Sequence, residues 1–510
     1  MGLRRMWQRV RGKDRPTNLL AVSDLHLGID LKVGSRSMGR GAVQLDQQLV
    51  AFFDHYTQRR SEGKPWRLIL NGDIVDFVAI TVTPKADDAD ARFQVNDEER
   101  LFGLAPDETK CIWKLRKVFE RHSTVFDALA RFALAGNSIS LIRGNHDAEF
   151  SWPGVKAEFK KLLANRSGLG GAARRRFERQ IEFHDWFYLE PGFFYAEHGN
   201  AHDRYCHQED FLAPWKKTSQ EGRELELPLS SKVMRFFANK YVSQFDCDEA
   251  DSWGAREFLA WTFRVGNPVQ IAADYFVMVW RLLYPIALHS LRIGRAAANV
   301  ARLAIAGSED ESLRYVNRQL SHFSHGHRDT AQRLLEIASR PAEESLFDSM
   351  QLFYLDRMLL ALLCLVTATG AVLTAPGWIA KLAAGTACGV LFAALNAMLG
   401  SRRQTDAHPM LQKAARRVAQ LFDVKYIVMG HSHRMVNEQV GARTRYFNLG
   451  SWTPPPPHKP FEGFPHLVVS EGKAEMRRWT APALGLGTAL PKPAVEAARR
   501  PASALVPALV

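Results

Sequence analysis

Short apolar runs that stop abruptly in polar turns recur in two parts of this chain. NLLAVSDLH (18–26), RLILNGD (67–73), SISLIRGNHD (138–147) and VKYIVMGHSH (424–433) share one grammar. In each, Leu, Ile and Val give way to Asp, Asn or His. Apolar runs of this length without alternation predict strands buried on both faces. IEFHDWFYLE and GFFYAEHGN, around Pro191-Gly192, predict a β-hairpin. RTRYFNLGSW and FPHLVVSEGKAEMRRW predict further strands. Between the early strands the period changes. Leu45, Leu49, Phe52, Phe53 and Tyr56 recur at helical spacing. Asp107 is placed to cap a long helix through Ala135, stopped by Gly136. Alternating strands and helices predict a layered α/β domain.

From Tyr205 to Leu421 the strand signals vanish, and Ala, Leu, Arg and Trp dominate at mostly helical spacing. This predicts an all-α insertion, residues 205–420, inside the α/β domain. Within it, residues 358–399 carry no charge except Lys381, and Pro376-Gly377 splits them into two apolar runs. Each run is about twenty residues, or about 30 Å of helix, enough to cross a bilayer. Arg357 before the first run and Arg402-Arg403 after the second fit a re-crossing hairpin with both ends in the cytoplasm. Lys381 falls near the tip, where it can snorkel to water. A buried hairpin in a soluble bundle fits the same pattern, because the Gly, Ala and Thr residues suit close helix packing in either solvent. The run 275–306, with Trp280, Arg281, Tyr284, Arg292 and Arg295, reads as a packed amphipathic helix or as a membrane-surface helix. The Ala- and Pro-rich tail 481–510 predicts little order, and the four prolines 454–457 predict a stiff loop.

A chain of 510 residues exceeds one ordinary core, so two or more units are expected. The formal net charge of +13 favours anionic partners: phosphate esters, anionic headgroups or nucleic acid. No nucleic-acid signature accompanies the charge, so that partner is unsupported. The five cysteines form no C-x-x-C pair and read as reduced intracellular thiols. The basic start lacks an apolar core and does not read as a secretory signal.

The polar turns hold the candidate chemistry. They supply Asp24 and His26, then Asp73, then Asn145 and His146, then His198, then His431 and His433. In layered α/β proteins the site lies beyond the carboxyl ends of the strands. Residues two apart on an extended strand face one side, so Asp24 with His26, and His431 with His433, can each meet one ion. Carboxylate, amide oxygen and imidazole together suit Mn²⁺, Fe or Zn²⁺, with Mn²⁺ favoured, better than Ca²⁺ or Mg²⁺ alone. No cysteine joins them, which argues against structural zinc. Local turn chemistry is the plain alternative for any one of these residues.

D-x-H, G-D-x-x-D, G-N-H-D, H-G and G-H-x-H, in that order, resemble the calcineurin-like metallophosphoesterases over residues 17–204 and 421–480. The resemblance implies a four-layer αββα sandwich with two divalent ions. Asp24, His26 and His433 would hold the first ion. Asn145, His198 and His431 would hold the second, and Asp73 would bridge them. Paired cations clamp a phosphoryl group and lower the pKa of a bridging water toward hydroxide. His146 would reach the phosphate and protonate the leaving oxygen, oriented by Asp76. Asp147 would pin the turn.

Several neighbours have two readings. Arg143, Arg204 and Arg434 flank the motifs and either bind phosphate or sit solvated. Arg36 and Arg40 lie on a loop suited to a lid. His202 and Asp203 are placed to orient His198. His322, His325 and His327 suggest a separate metal site or a polar loop. The expected activity is hydrolysis of a phosphomonoester, phosphodiester or pyrophosphate, possible substrates including lipid-linked ones, on the cytoplasmic face of a membrane. The SDLHLG start also resembles the UDP-diacylglucosamine pyrophosphohydrolases; the departure is His146, where those enzymes carry arginine. A membrane-tethered scaffold that binds without cleaving is the third reading, marked by lost ligands, and none is missing.

Overall fold

The computed structural model describes residues 16–33, 40–85, 87–208, 211–217, 222–241, 260–264, 267–291, 355–402, 406–453 and 462–480, with isolated positions elsewhere. It is a mixed α/β structure with two large sheets and, apart from them, two long apolar helices.

The apolar runs become strands. The first sheet contains β1 (Asn18–Val22), β2 (Trp66–Asn71), β3 (Ser138–Ile142) and β4 (Ile181–His184), side by side and parallel. The second contains β5 (Phe187–Glu190), β6 (Phe194–Glu197), β9 (Tyr426–Met429), β10 (Met435–Gln439) and β11 (Arg445–Leu449), in the order β10-β11-β9-β6-β5. Strands β12 (Phe464–Ser470) and β13 (Lys473–Trp479) return to the first sheet, where β12 pairs antiparallel with β1.

Alternation along each strand feeds two cores. Leu20 and Val22 of β1, with Leu68 and Leu70 of β2, face helices α1 (Arg40–Gln58), α3 (Glu108–Arg121), α4 (Ser123–Leu134) and α5 (Pro153–Arg166). Leu19, Ala21 and Ile69 face the other way and share a core with Phe194, Val428 and Phe447 of the second sheet. The outer face of that sheet packs Tyr195, Ile427 and Met429 against Leu411, Ala415 and Val418 of α11 (His408–Leu421). Burial on both faces explains why the strand sequences hardly alternate.

The helical stripe from Leu45 to Tyr56 is buried as its period predicts. Three expectations change. The helix capped by Asp107 ends at Arg121; His122 leaves helical geometry and α4 starts afresh at Ser123. The hairpin at Pro191-Gly192 comprises β5 and β6 only, while Ile181–His184 belongs to the other sheet, so Asp185-Trp186 is the crossing between sheets. The 205–420 segment is not strand-free: β7 (Trp215–Lys217) pairs antiparallel with β8 (Arg223–Leu225), and α11 at its end packs on the second sheet.

Further helices are α2 (Asp97–Phe102), α6 (Gly171–Arg179), α7 (Leu229–Phe236) and α8 (Pro268–Leu291). Separate from the sheets as a compact unit are α9 (Leu355–Thr374) and α10 (Gly377–Arg402), which lie alongside each other. Both are long and apolar enough to cross a membrane, and none of the apolar stretch is buried. The tail 481–510, the prolines 454–457 and His322, His325 and His327 lie outside the described residues, a short strand at Thr488–Ala489 apart.

Candidate metal centre

Five loops leave the carboxyl ends of β1, β2, β3, β6 and β9 and carry the expected ligands to one place. Backbone bonds lace these loops together. Asp24 N–H donates to Gly72 O at 3.1 Å, His26 N–H to Asp73 O at 2.9 Å, and Gly430 N–H to His198 O at 2.9 Å. Phe77 N–H donates to His146 O at 3.0 Å, and Trp452 N–H to Asp24 O at 3.0 Å.

The paired ligands do not sit on extended strand, as their two-residue spacing suggested. Asp24, His26, Asp73, His431 and His433 have φ of 56°, 48°, 53°, 67° and 53°. Among the described residues only Glu62 and Glu471 join them as non-glycine residues with positive φ. A left-handed conformation costs an L-residue about 1–2 kcal/mol, and such strain gathers where function holds it. Glycines make the crowding possible. A Cβ on Gly144 would strike Asp73 Oδ1, and one on Gly430 would strike Ser23 Oγ and lie 2.6 Å from Asp24 Oδ2.

Ligand atoms of Asp24, His26 and His433 lie within 4.8 Å of one another, as do those of Asp73, His198 and His431. His433 Nε2 is 3.2 Å from Asp24 Oδ1, and His198 Nε2 is 3.1 Å from Asp73 Oδ2. His26 Nε2 and Asn145 Oδ1 are buried yet engaged in no hydrogen bond, while Asp24 Oδ1 and His198 Nε2 face His433 and Asp73 within the cluster. Leaving one unbonded atom unsatisfied costs about 1–3 kcal/mol, so two in one place are unusual. Oxygen and nitrogen donors converging with open lone pairs are what a divalent transition ion requires. The residues present therefore fit a metal.

No family model matches the chain, and no curated protein matches it either.

Neighbours fix how each imidazole is presented. His26 Nδ1 lies 3.1 Å from Asp76 Oδ2 and His198 Nδ1 lies 2.9 Å from Asn71 O, which leaves Nε2 of both rings aimed into the cluster. His431 is reversed: its Nε2 lies 2.9 Å from Asp203 Oδ2, leaving Nδ1 for an ion. Asp76 also lies 3.1 Å from His146 Nδ1, and its other oxygen accepts from Ala79 N–H at 2.9 Å. It serves both as turn residue and as partner to two histidines. Asp147 pins its turn, accepting from Gly144 N–H at 2.6 Å and Ile74 N–H at 2.8 Å. The His146 side chain is 22% exposed where its partner Asp76 is 1%, so His146 sits at the rim.

Burial opposes every charge here, and ion pairing overcomes it. Burial pushes the Asp73 carboxyl up, but His198, His146 and His26 hold it well below the usual carboxylate range. Burial likewise opposes Asp76, which His146 and His26 hold down, and Asp24, which His198 and His433 hold down. Burial pushes His146 down, yet Asp76 and Asp73 raise it to about 10. His198, against the same burial, is raised to about 9 by Asp73 and Asp24. Burial and the Asp73 charge lift Asp147 to about 6.

Some expectations fail. Arg143 is buried and bonds Ser151 Oγ and Phe211 O, with its guanidinium over the Phe211 ring, so it supports the fold and not a phosphate. Asp203 holds His431, and His202 holds Glu197 Oε1 at 2.9 Å; neither orients His198. Arg204 lies over Tyr205, and Arg434 is exposed beside His433. Arg36 and the Arg40 side chain lie outside the described residues.

Two asparagines were missed. Asn71 O accepts from Ser23 Oγ at 2.7 Å as well as from His198, while its Nδ2 donates to Glu197 O at 3.0 Å. Asn448 Nδ2 donates to Gly430 O at 2.6 Å, behind His431. Asn71 ends β2, Asn448 is next to the end of β11, and both are fully buried, which is the available signal: an amide there must bond something.

Proposed function

We propose that this chain is a two-metal-dependent phosphoesterase of the calcineurin-like kind, hydrolysing a phosphomonoester, phosphodiester or pyrophosphate. One observation carries the reading: six side chains from four separated loops gather into two groups that could each hold an ion, five of them on left-handed backbones, with Asn145 Oδ1 buried and unbonded on a fifth loop. The order helices, sheet, sheet, helix supports the αββα sandwich of that family. Asp24, His26 and His433 would hold one ion, Asn145, His198 and His431 the second, with Asp73 between them. Such ions supply positive charge for the phosphoryl oxygens and acidify water. His146, protonated and at the rim, is placed to give a proton to the leaving oxygen, and Asp76 keeps its imidazole charged and oriented.

The apolar hairpin of α9 and α10 supports attachment to a membrane, and the arginines at both its ends support the cytoplasmic face. The same hairpin, with the SDLHLG turn, favours a second reading in which the substrate is a lipid-linked pyrophosphate.

The test uses the full chain in detergent, with mono-, di- and pyrophosphate esters and added Mn²⁺. Wild type should carry transition metal, release protons on binding it and turn over one ester class. Asp73→Asn should lose metal and activity together. His146→Asn should keep metal and lose about 10²–10⁴-fold in rate. A metal-free, inert wild type, or an Asp73→Asn variant with undiminished turnover, would refute the enzyme reading. For the hairpin, alkaline carbonate should leave the chain in the membrane fraction.

A further inference from the structure

The segment that begins at Asp76 is gripped from two sides. Asp76 N–H donates to Leu27 O at 2.9 Å, and Phe77 N–H donates to His146 O at 3.0 Å. Asp76 Oδ1 accepts from Ala79 N–H at 2.9 Å. The carbonyls of Phe77 and Val78 are held by side chains from distant parts of the chain. Lys114 Nζ, on α3, donates to Phe77 O at 3.0 Å, and Asn239 Nδ2 donates to Val78 O at 2.8 Å. Both side chains belong to buried residues.

Packing alone would not select them. The other buried residues of α3 are Cys111, Trp113, Leu115, Val118 and Phe119, so Lys114 brings an ammonium to an otherwise apolar face. An ammonium taken out of water is costly unless its hydrogen bonds are made. Lys114 makes a second bond, to Leu104 O at 3.1 Å, and Arg235 Nη1 of α7 donates to the same oxygen at 2.8 Å. Asn239 lies in the short 3₁₀ turn Ala238–Tyr241 that follows α7, and Met234 and Ala238 pack with Val78 and Ala79. The beginning of the 205–420 segment is thus docked on the residues that follow Asp76.

Position decides what this grip does. Asp76 Oδ2 lies 3.1 Å from Nδ1 of both His146 and His26. A slip of the backbone at Phe77 and Val78 would move that carboxylate, and the bond from Phe77 N–H to His146 O would move with it. His198 and His431 are held by Asn71 O and Asp203 instead, so they do not depend on the grip.

We propose that Lys114 and Asn239 are positioning residues for proton delivery to the leaving oxygen: by holding Phe77 O and Val78 O they keep Asp76 and His146 in register. The proposal rests on the phosphoesterase reading of the centre. The two are separable because a misplaced acid hurts a basic leaving group far more than an acidic one, whereas a lost metal centre hurts both.

The experiment uses the full chain with saturating Mn²⁺ and two substrates of the class that wild type turns over, one releasing p-nitrophenol and the other an alkyl alcohol. Lys114→Met and Asn239→Leu should each lower kcat for the alkyl substrate by about 10²-fold, with KM and bound metal little changed. The p-nitrophenyl substrate, whose leaving group departs without a proton, should lose much less. His146→Asn should show the same selectivity, and adding Lys114→Met to it should cost little more, because both changes strike one step. Asn239→Leu guards against a Lys114 variant that does not fold. In a folded variant, an equal loss on both substrates, or no loss, would make the residue structural only and overturn the proposal while the enzyme reading stands. A wild type inert toward both substrates would sink the phosphoesterase reading and the proposal with it. So would a His146→Asn variant without leaving-group selectivity sink the acid role on which the proposal depends.

Discussion

At the strand ends of the α/β unit, Asp24, Asp73, Asn145 and His198 are almost wholly buried, although each is polar. In α9 and α10 the pattern is inverted: Leu363, Leu365, Val366, Leu373, Ile379 and Leu382 are each more than half exposed. A buried polar group and an exposed apolar one are the informative exceptions to ordinary burial. The first kind includes groups that could hold a metal ion, and the second forms helices long and apolar enough to cross a membrane. The difference teaches that one chain can carry opposite violations of the same burial rule, polar groups gathered inside and apolar side chains turned out. The two also differ in how they are held. The strand-end loops are fixed by many backbone and side-chain bonds, whereas the helix pair satisfies its backbone within each helix and needs little from its surroundings.

The largest test of this contrast is a charge in the middle of α9. Leu365→Asp should cost about 2.5–3.5 kcal/mol of membrane insertion, or about 10²-fold in the inserted fraction. Carbonate extraction of membranes from expressing cells reads this directly. On a helix whose exposed side meets water, the same change would leave the distribution untouched or improve solubility, and that result would erase the comparison.

The strands, the α1 stripe and the clustering of the polar turns were legible because buried strands and the polar turns that end them both leave local marks. VSDLH and RGNHD each state an apolar run and its polar end within a few residues. What the chain hid was non-local. That IEFH and FYLE lie in different sheets depends on pairing with β3 and β6, which no short window contains. The break at His122 is of the same kind: its imidazole bonds Asp46 Oδ1 at 2.7 Å and Gly28 N–H at 2.9 Å, holding the loop after the first motif instead of continuing a helix. The left-handed backbone at Asp24 and His431 was also unreadable, since neither residue type demands it.

Asp203 gives the next-largest effect, and it lies wholly within the buried polar region. Its carboxylate fixes the ring of His431 through Nε2, so Asp203→Asn should free that ring to turn. Metal affinity should fall about 10–100-fold, the usual toll for losing an outer partner of a metal-binding histidine. Titration of the metal-stripped chain with Mn²⁺ measures it, with Asp203→Glu expected to recover part of the loss. Unchanged affinity in the Asn variant would mean that His431 is held by packing alone.

The smallest effect compares two buried histidines of the same unit. His198 is lifted to about 9 by Asp73 and Asp24 against its burial, while burial drives His466 down to about 3. His466 has Tyr56 Oη at 2.9 Å from its Nε2 and no carboxylate against it in that contact, so it stays neutral. Because its folded pKa lies below the ordinary value of 6.5, the unfolded chain takes up more protons between about pH 6.5 and 3. Stability from this group is complete above that window and is lost as pH falls through it, by at most about 1.4 kcal/mol per pH unit. Melting curves from pH 7 to 4 should therefore descend less steeply in His466→Gln than in wild type. Parallel curves would show that His466 does not titrate on unfolding, and the contrast between a histidine surrounded by carboxylates and one surrounded by aromatic rings, Phe52 and Tyr56, would lose its energetic basis.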